Sequence, residues 1–236
     1  MKVDAKVLKK FFRAAPSFVS DGLLVVKEDK DVGATLRAVD VEQTCLVVCK
    51  LFKHVTSDYT ELGEMGIQDI QLVEKILGRF PREVTLAYNE NILLIYDNER
   101  EASIATADPA YITEPSVIED KFTDFEVTLG QQRDTLVNAV NNARTIGADM
   151  FTLKVKNGLF TVAAQSGENI LKEKRRVDVD KEVEVTLPDT FKKVVSSIPS
   201  DCEVKIRLSN DMPVRIDAIS SEMKITYIVT PMVVTE

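Results

Sequence analysis

The sequence predicts an α+β protein of two tandem, similarly built domains, with antiparallel sheets and with helices gathered on one face. Three observations predict it. Segments of the first half recur in the second at an offset of 118 residues, half of the 236-residue chain. Strand patterns follow one another without the helical crossovers that parallel pairing requires. Amphipathic helical stretches divide evenly between the two halves.

In chain order, residues 3–15 read as a helix with Val3, Val7, Phe11 and Ala14 on one face. A hairpin follows, Gly22–Val26 with 35–40, and then an alternating strand at 44–50. Residues 69–96 then give an amphipathic helix, a proline, an acidic turn, a strand, an Asn-containing turn and a second strand. Residues 189–217 repeat this order. Pro81 matches Pro199, Lys75-Ile76-Leu77 matches Lys193-Val194-Val195, and Val84, Leu86 and Tyr88 match Cys202, Val204 and Ile206. In the second half a helix at 132–146 carries Leu136, Ala139, Val140 and Ala143 inward. The hairpin Met150–Lys156 with 159–164 turns on Asn157-Gly158, a strong two-residue hairpin signal. An alternating strand at 168–177 follows it. Residues 106–122 contain Pro109 and Pro115 without periodicity and read as a connecting loop. The expected boundaries are 1–105, 106–122 and 123–236.

Composition narrows the function. Apolar residues make up 44% of the chain, enough for a substantial core. No apolar run approaches the roughly 18–20 residues needed to cross a membrane, and the lysine-rich start has no signal-peptide core. A cytoplasmic or nuclear protein is expected. Cys45, Cys49 and Cys202 with the single His54 do not make a zinc site, so no metal or cofactor is expected. Cys45 and Cys49 read as buried small hydrophobes sharing one strand face, and His54 as a surface residue.

The net charge of −8 taken alone argues against a nucleic-acid partner, but charge is segregated along the chain. Residues 2–13 hold five cations, Lys2, Lys6, Lys9, Lys10 and Arg13, against Asp4. Residues 99–126 hold eight anions against Arg100 and Lys121. Lys2, Lys6, Lys9 and Arg13 are spaced to share the helix face opposite the apolar stripe. Gln71, Lys75 and Arg79 do likewise on the second helix, with Asn138, Asn141, Asn142 and Thr145 on the third and Lys192, Lys193 and Ser197 on the fourth.

Several segments resemble the PCNA and archaeal sliding-clamp family. Leu36-Arg37-Ala38-Val39-Asp40 followed by Cys45-Leu46-Val47-Val48 resembles a first-domain strand pair of that family. The stretch 62–77 resembles the approach to its second helix, Asn210-Asp211-Met212-Pro213-Val214 a second-domain turn and strand, and 225–231 the closing strand. The resemblance runs over essentially the whole chain. Departures are an acidic linker, Thr230 where the family has alanine, and few cations on the third helix.

The resemblance implies a DNA clamp fold, with sheets outside and helices lining the inner face of a three-subunit ring around double-stranded DNA, contacted without sequence preference. Lys2, Lys6, Lys9, Arg13, Gln71, Lys75, Arg79, Asn138, Asn141 and Lys193 would then face DNA. Subunits would join between about 100–106, with Arg100, Glu101 and Ser103, and 170–177, with Lys172, Lys174, Arg175 and Arg176; Glu99 adds to the acidic side. The partners implied are DNA polymerase, a clamp loader and other proteins bearing PIP-box-like peptides, plus self-association into a trimer that sister subunits could share. The peptide pocket would comprise Val39, Gln43, Leu46, Pro213, Ile228, Thr230 and Pro231, with Ile112, Pro115 and Ile118 at its rim. Two alternatives stay open: a checkpoint-type or monomeric viral processivity factor of the same fold, and an unrelated two-domain α+β enzyme. Against the enzyme, there is no phosphate-binding G-x-x-x-x-G-K-[ST] loop, and Asp40, Glu42, Asp69 and Glu74 have no metal-like spacing. Asp40 is expected to end a strand and support a turn.

Overall fold

The computed structural model describes residues 1–113 and 122–232. The chain divides into two compact units, Met1–Ser116 with Ser220–Ile225, and Val117–Ile219 with Thr226–Glu236. The first half runs β1 (Lys2–Asp4), α1 (Ala5–Arg13), β2 (Gly22–Val26), β3 (Val32–Val39), β4 (Cys45–Phe52), β5 (Thr56–Ser57), β6 (Gly63–Ile67), α2 (Ile70–Leu77), β7 (Glu83–Asn89), β8 (Ile92–Tyr96) and β9 (Glu101–Ala105). The second runs β10 (Val127–Leu129), α3 (Arg133–Ile146), β11 (Met150–Lys156), β12 (Leu159–Ser166), β13 (Asn169–Arg176), β14 (Val183–Pro188), α4 (Thr190–Ser197), β15 (Glu203–Leu208), β16 (Val214–Ile219) and β17 (Met223–Val229).

Strand order makes the duplication explicit. The first half has the runs β1-β7-β8-β9, extended by the two-residue β5, and β4-β3-β2-β6. The second has β10-β15-β16-β17 and β13-β12-β11-β14, the same order strand for strand. The repeated unit is therefore a strand, a helix, a three-stranded meander, a lone strand, a second helix and a second meander. In each half the helices pack on each other, α1 on α2 and α3 on α4, and α3 also lies on β12 and β13.

Equivalent elements do not lie 118 residues apart. α2 begins at Ile70 and α4 at Thr190, and β7 begins at Glu83 and β15 at Glu203, an offset of 120. A slip of two leaves a strand's alternation intact, so Val84 and Leu86 still match apolar residues although their counterparts are Val204 and Ile206. On a helix, two residues are about 200° of rotation. The match of Lys75 with Lys193 accordingly fails. The buried faces of the two helices themselves overlay at an offset of 121, Ile70, Val73 and Leu77 on Phe191, Val194 and Ile198, which puts Lys193 where α2 has Leu72.

The first helix is also shorter than its periodicity suggests. Lys2 and Val3 belong to β1, which pairs with β7. Asp4 caps α1, its carboxylate accepting from the Lys6 amide at 2.7 Å. The buried stripe of α1 is Ala5, Leu8, Phe11 and Phe12, and Val7 is only half-buried. The Asn157-Gly158 turn forms as expected, with φ of 52° and 69°, the left-handed pair that a tight hairpin needs. Asp40 ends β3, its carboxylate accepting from the Cys45 amide at 2.6 Å and the Thr44 hydroxyl at 2.8 Å.

Fully buried aromatics centre the packing: Phe11 and Phe12 from α1, Phe151 and Phe160 from β11 and β12, Phe191 from α4 and Tyr227 from β17. Phe151 meets Phe191 edge-on at 5.2 Å, tying α4 to the sheet. Burying one such side chain contributes about 1.5–3 kcal/mol. The three cysteines are buried, and His54 is exposed and stacked on Phe52.

Candidate nucleic-acid and partner surfaces

On α1 the apolar stripe faces inward, which leaves Lys6 and Arg13 exposed. Lys9 is half-buried, with its ammonium 4.0 Å from Glu74 on α2. Lys10 is spent on Glu222 at 3.0 Å. Lys75 is exposed near the end of α2 and Arg79 just beyond it; Gln71 is half-buried, its amide 3.5 Å from the Val19 carbonyl. Lys2 does not share the α1 face. From β1 it pairs with Asp58 at 2.5 Å. The hydrogen bond from Lys2, and then its charge, hold the Asp58 carboxyl below its ordinary value, and the same contact raises Lys2.

On α3, Asn138, Asn141 and Thr145 are exposed, and Asn142 is half-buried with its amide donating to Glu173 at 2.7 Å. On α4, Lys193 is exposed and Lys192 pairs with Asp189 at 3.0 Å. Ser197 leaves the polar face altogether: it is buried, its hydroxyl donating to the Val194 carbonyl at 2.7 Å and lying 3.0 Å from the Tyr227 hydroxyl.

β9 and β13 each end a sheet. Glu101 and Ser103 are exposed on β9, with Glu99 and Arg100 exposed just before it. The Arg100 guanidinium donates to the Arg79 carbonyl. On β13 Lys172, Lys174 and Arg176 are exposed and share one side. Arg175 has the opposite parity. It is half-buried and donates to the Gln131 carbonyl, so it is separated from the other three cations.

Of the residues read as a peptide pocket, Val39 and Leu46 are buried and directly paired across β3 and β4. Gln43 is exposed in the intervening turn, held at φ 55°. Ile112, expected at a rim, is 7% exposed and seated on Gly66 in β6, so it acts as an anchor of its own segment. Pro115 and Ile118 lie outside the described residues. In the second unit Ile228 is buried, Pro213 and Pro231 are half-buried and Thr230 is exposed.

Three features escape the sequence patterns. Val41 and Tyr111 are 89% and 84% exposed, which nothing in their local sequence signals. Arg215 and Asp217 on β16 form a buried ion pair, with Asp217 also accepting from Thr226 at 2.8 Å. Two opposite charges at i, i+2 in a strand share a face, and that spacing is the signal for the pair.

No protein-family model matches the sequence, and no curated protein matches it. Solved structures do match over their whole length. The chain is similar to the structure of the C-terminal region of FEN-1 bound to A. fulgidus PCNA, at 19% identity and TM-score 0.82, covering 100% of this chain and 98% of that one. The fold is that of a PCNA-type clamp. PCNA from Thermococcus kodakaraensis matches at 16% identity and TM-score 0.79, over 98% of this chain and 99% of that one. The PCNA2–PCNA3 complex from Sulfolobus tokodaii matches at 14% and 0.74, over 98% and 99%. The α+β architecture of two like domains expected from the repeat is thus the PCNA-type fold, with four α-helices among the described residues and antiparallel pairing between the strands.

Proposed function

We propose that the chain is a non-catalytic DNA sliding clamp: a ring subunit that encircles duplex DNA, tethers polymerase and other enzymes through short peptides, and is placed on DNA by a loader. It would work wherever chromosomal DNA lies, in the cytoplasm or in a nucleus. The observation that carries the reading is the exposed cation set Lys6, Arg13, Lys75 and Arg79 around two mutually packed helices of a PCNA-type fold. Lysine and arginine on such a face attract phosphates without reading bases, which suits a protein that must slide. Lys2, Lys9, Gln71, Asn138, Asn141 and Lys193 would complete the DNA-facing set, with residues 1–105 and 123–236 as the two clamp domains and 106–122 as their connector. The A. fulgidus structure holds a FEN-1 peptide and the S. tokodaii structure is a complex of two PCNAs, which supports peptide docking and subunit association here.

Charge favours one mode of association. β9 is flanked by Glu99 and Glu101, and β13 carries Lys172, Lys174 and Arg176. Like edges would repel and β9 would attract β13, so the contact would be head-to-tail, the kind of contact from which the proposed ring is built. Reversing either edge alone, by E99K/E101K or by K172E/K174E/R176E, should reduce the light-scattering mass to that of a monomer. Both reversals in one chain should restore it. An unchanged mass in both single-edge variants would remove this interface.

The topological test decides the function. The loaded protein should stay on a nicked DNA circle and be lost once the circle is linearised. Neutralising Lys6, Arg13, Lys75 and Arg79 together should speed its escape and flatten the salt dependence by about one slope unit per cation that meets phosphate. Equal retention on circular and linear DNA would refute the ring.

A further inference from the structure

Arg215 and Asp217 are two residues apart on β16, so they project from one side of the sheet while Val214, Ile216 and Ala218 fill the other. Both are buried, Arg215 at 7% exposure and Asp217 at 9%. The Arg215 Nε lies 3.1 Å from each carboxylate oxygen, and a terminal nitrogen lies 3.1 Å from Oδ1. Its other terminal nitrogen donates to the Phe122 carbonyl at 3.0 Å. Asp217 is steadied in turn by the Thr226 hydroxyl at 2.8 Å, and a guanidinium nitrogen of Arg207 stands 3.4 Å away. A buried guanidinium must satisfy its donors in a fixed planar fork. Here the carboxylate fixes the plane of the fork, and the fork in turn fixes a main-chain carbonyl 93 residues earlier.

We infer that Arg215 is a positioning residue: held by Asp217, it latches the main chain at Phe122 and so fixes the course of the chain ahead of β10. The inference deepens the peptide-docking reading and rests on it for its functional consequence. Ile228 lies two residues after Thr226 on β17 and so shares its face of the strand, and Pro213 directly precedes β16, so the proposed second-unit anchors are close in the chain to the latch. Losing the latch would release the chain beside those anchors and weaken docking without removing any apolar contact.

The test uses the full chain and trypsin, which can cut between Lys121 and Phe122. Removing one partner of a buried pair risks unfolding, whereas replacing both with apolar groups generally preserves the fold. The R215M/D217L variant should therefore remain folded by circular dichroism, and cleavage after Lys121 should speed at least tenfold while the other tryptic sites keep their rates. R207M, which leaves the Phe122 contact in place, should cleave like wild type. Affinity for the A. fulgidus FEN-1 C-terminal peptide should fall about fivefold in R215M/D217L. Wild-type cleavage rates in R215M/D217L, or equally fast cleavage in R207M, would overturn the latch. If the wild-type chain ignores the peptide while the cleavage rates change as stated, the docking reading fails and the latch stands.

Discussion

Gly66 and Ile112 offer a quantitative check on how the segment after β9 is anchored. A Cβ at Gly66 would stand 2.6 Å from Ile112 Cγ1, 2.9 Å from its Cδ1 and 3.0 Å from the Ala107 carbonyl oxygen. Gly66 and Ala107 also exchange backbone hydrogen bonds of 3.0 and 2.8 Å, so the backbone cannot drift apart to make room cheaply. Gly66→Ala should then force Ile112 off its seat and cost about 1–3 kcal/mol, the usual range for overpacking. Ile112→Ala removes a side chain that is 7% exposed and should cost about 2–4 kcal/mol through lost burial and the cavity left behind. In the double variant the two closest atoms are gone and only the carbonyl contact remains. The pair should therefore cost at least about 1 kcal/mol less than the sum of the singles, a coupling large enough to measure. Urea denaturation followed by circular dichroism gives all four corners of the cycle. Additivity within about 0.5 kcal/mol would show that Ile112 does not occupy the notch over Gly66 and would refute this anchoring.

Three further outcomes follow from the geometry. Asp40→Ala strands the Cys45 amide and the Thr44 hydroxyl at the end of β3, and thermal unfolding should show a loss of about 1–3 kcal/mol, with Asp40→Asn in between. Asp58 has its carboxyl lowered by Lys2, so the pair's contribution is full above the unfolded carboxylate value and is lost as pH falls through the folded one; Asp58→Asn should lose that small contribution at neutral pH, converge with the wild type at low pH, and so flatten the acid limb of the stability profile. Burial, and then the nearby Asp40 carboxylate, push the Cys45 thiol far up, and with Cys49 and Cys202 also buried a thiol reagent at pH 8 should label the native chain only as fast as it opens.

The sequence was legible where period and turn chemistry agree. Met150–Lys156 with Asn157-Gly158 reproduces β11 and its turn residue for residue, and the inward face Leu136, Ala139, Val140, Ala143 is buried throughout. Besides the two-residue β5, the strands without an expectation are β1, β6, β10 and β14, which form two equivalent pairs in the duplicated topology. β1 and β10 have three residues each, too few to show alternation, and β6 reads Gly-Glu-Met-Gly-Ile, where glycines blur the pattern. β14 does carry the signal, in the alternation of Val183, Val185 and Leu187. Among the candidate surface residues, exposure was legible for Lys6, Arg13, Lys75 and Asn138 because each lies opposite an apolar stripe. It was not legible for Lys2, Ser197 or Arg175, whose partners Asp58, Tyr227 and Gln131 come from distant chain positions.

The duplication bears on why the two halves differ where they do. Both copies must bury equivalent faces, which keeps Val84 and Leu86 apolar and their counterparts Val204 and Ile206 apolar too. Exposed positions carry no such constraint, and there the copies part: α1 presents lysine and arginine, while α3 presents asparagine and threonine. The same divergence separates the open edges. β9 and β13 hold different places in the repeat, since the counterpart of β9 is β17 and that of β13 is β4. In the proposed assembly, edges alike in charge would repel each other, whereas β9 and β13 would attract. With carboxylates at β9 and cations at β13, the proposed contact would disfavour like-with-like pairing and favour a single orientation, so the charge pattern in which the two copies differ is the part of the repeat that would set the direction of assembly.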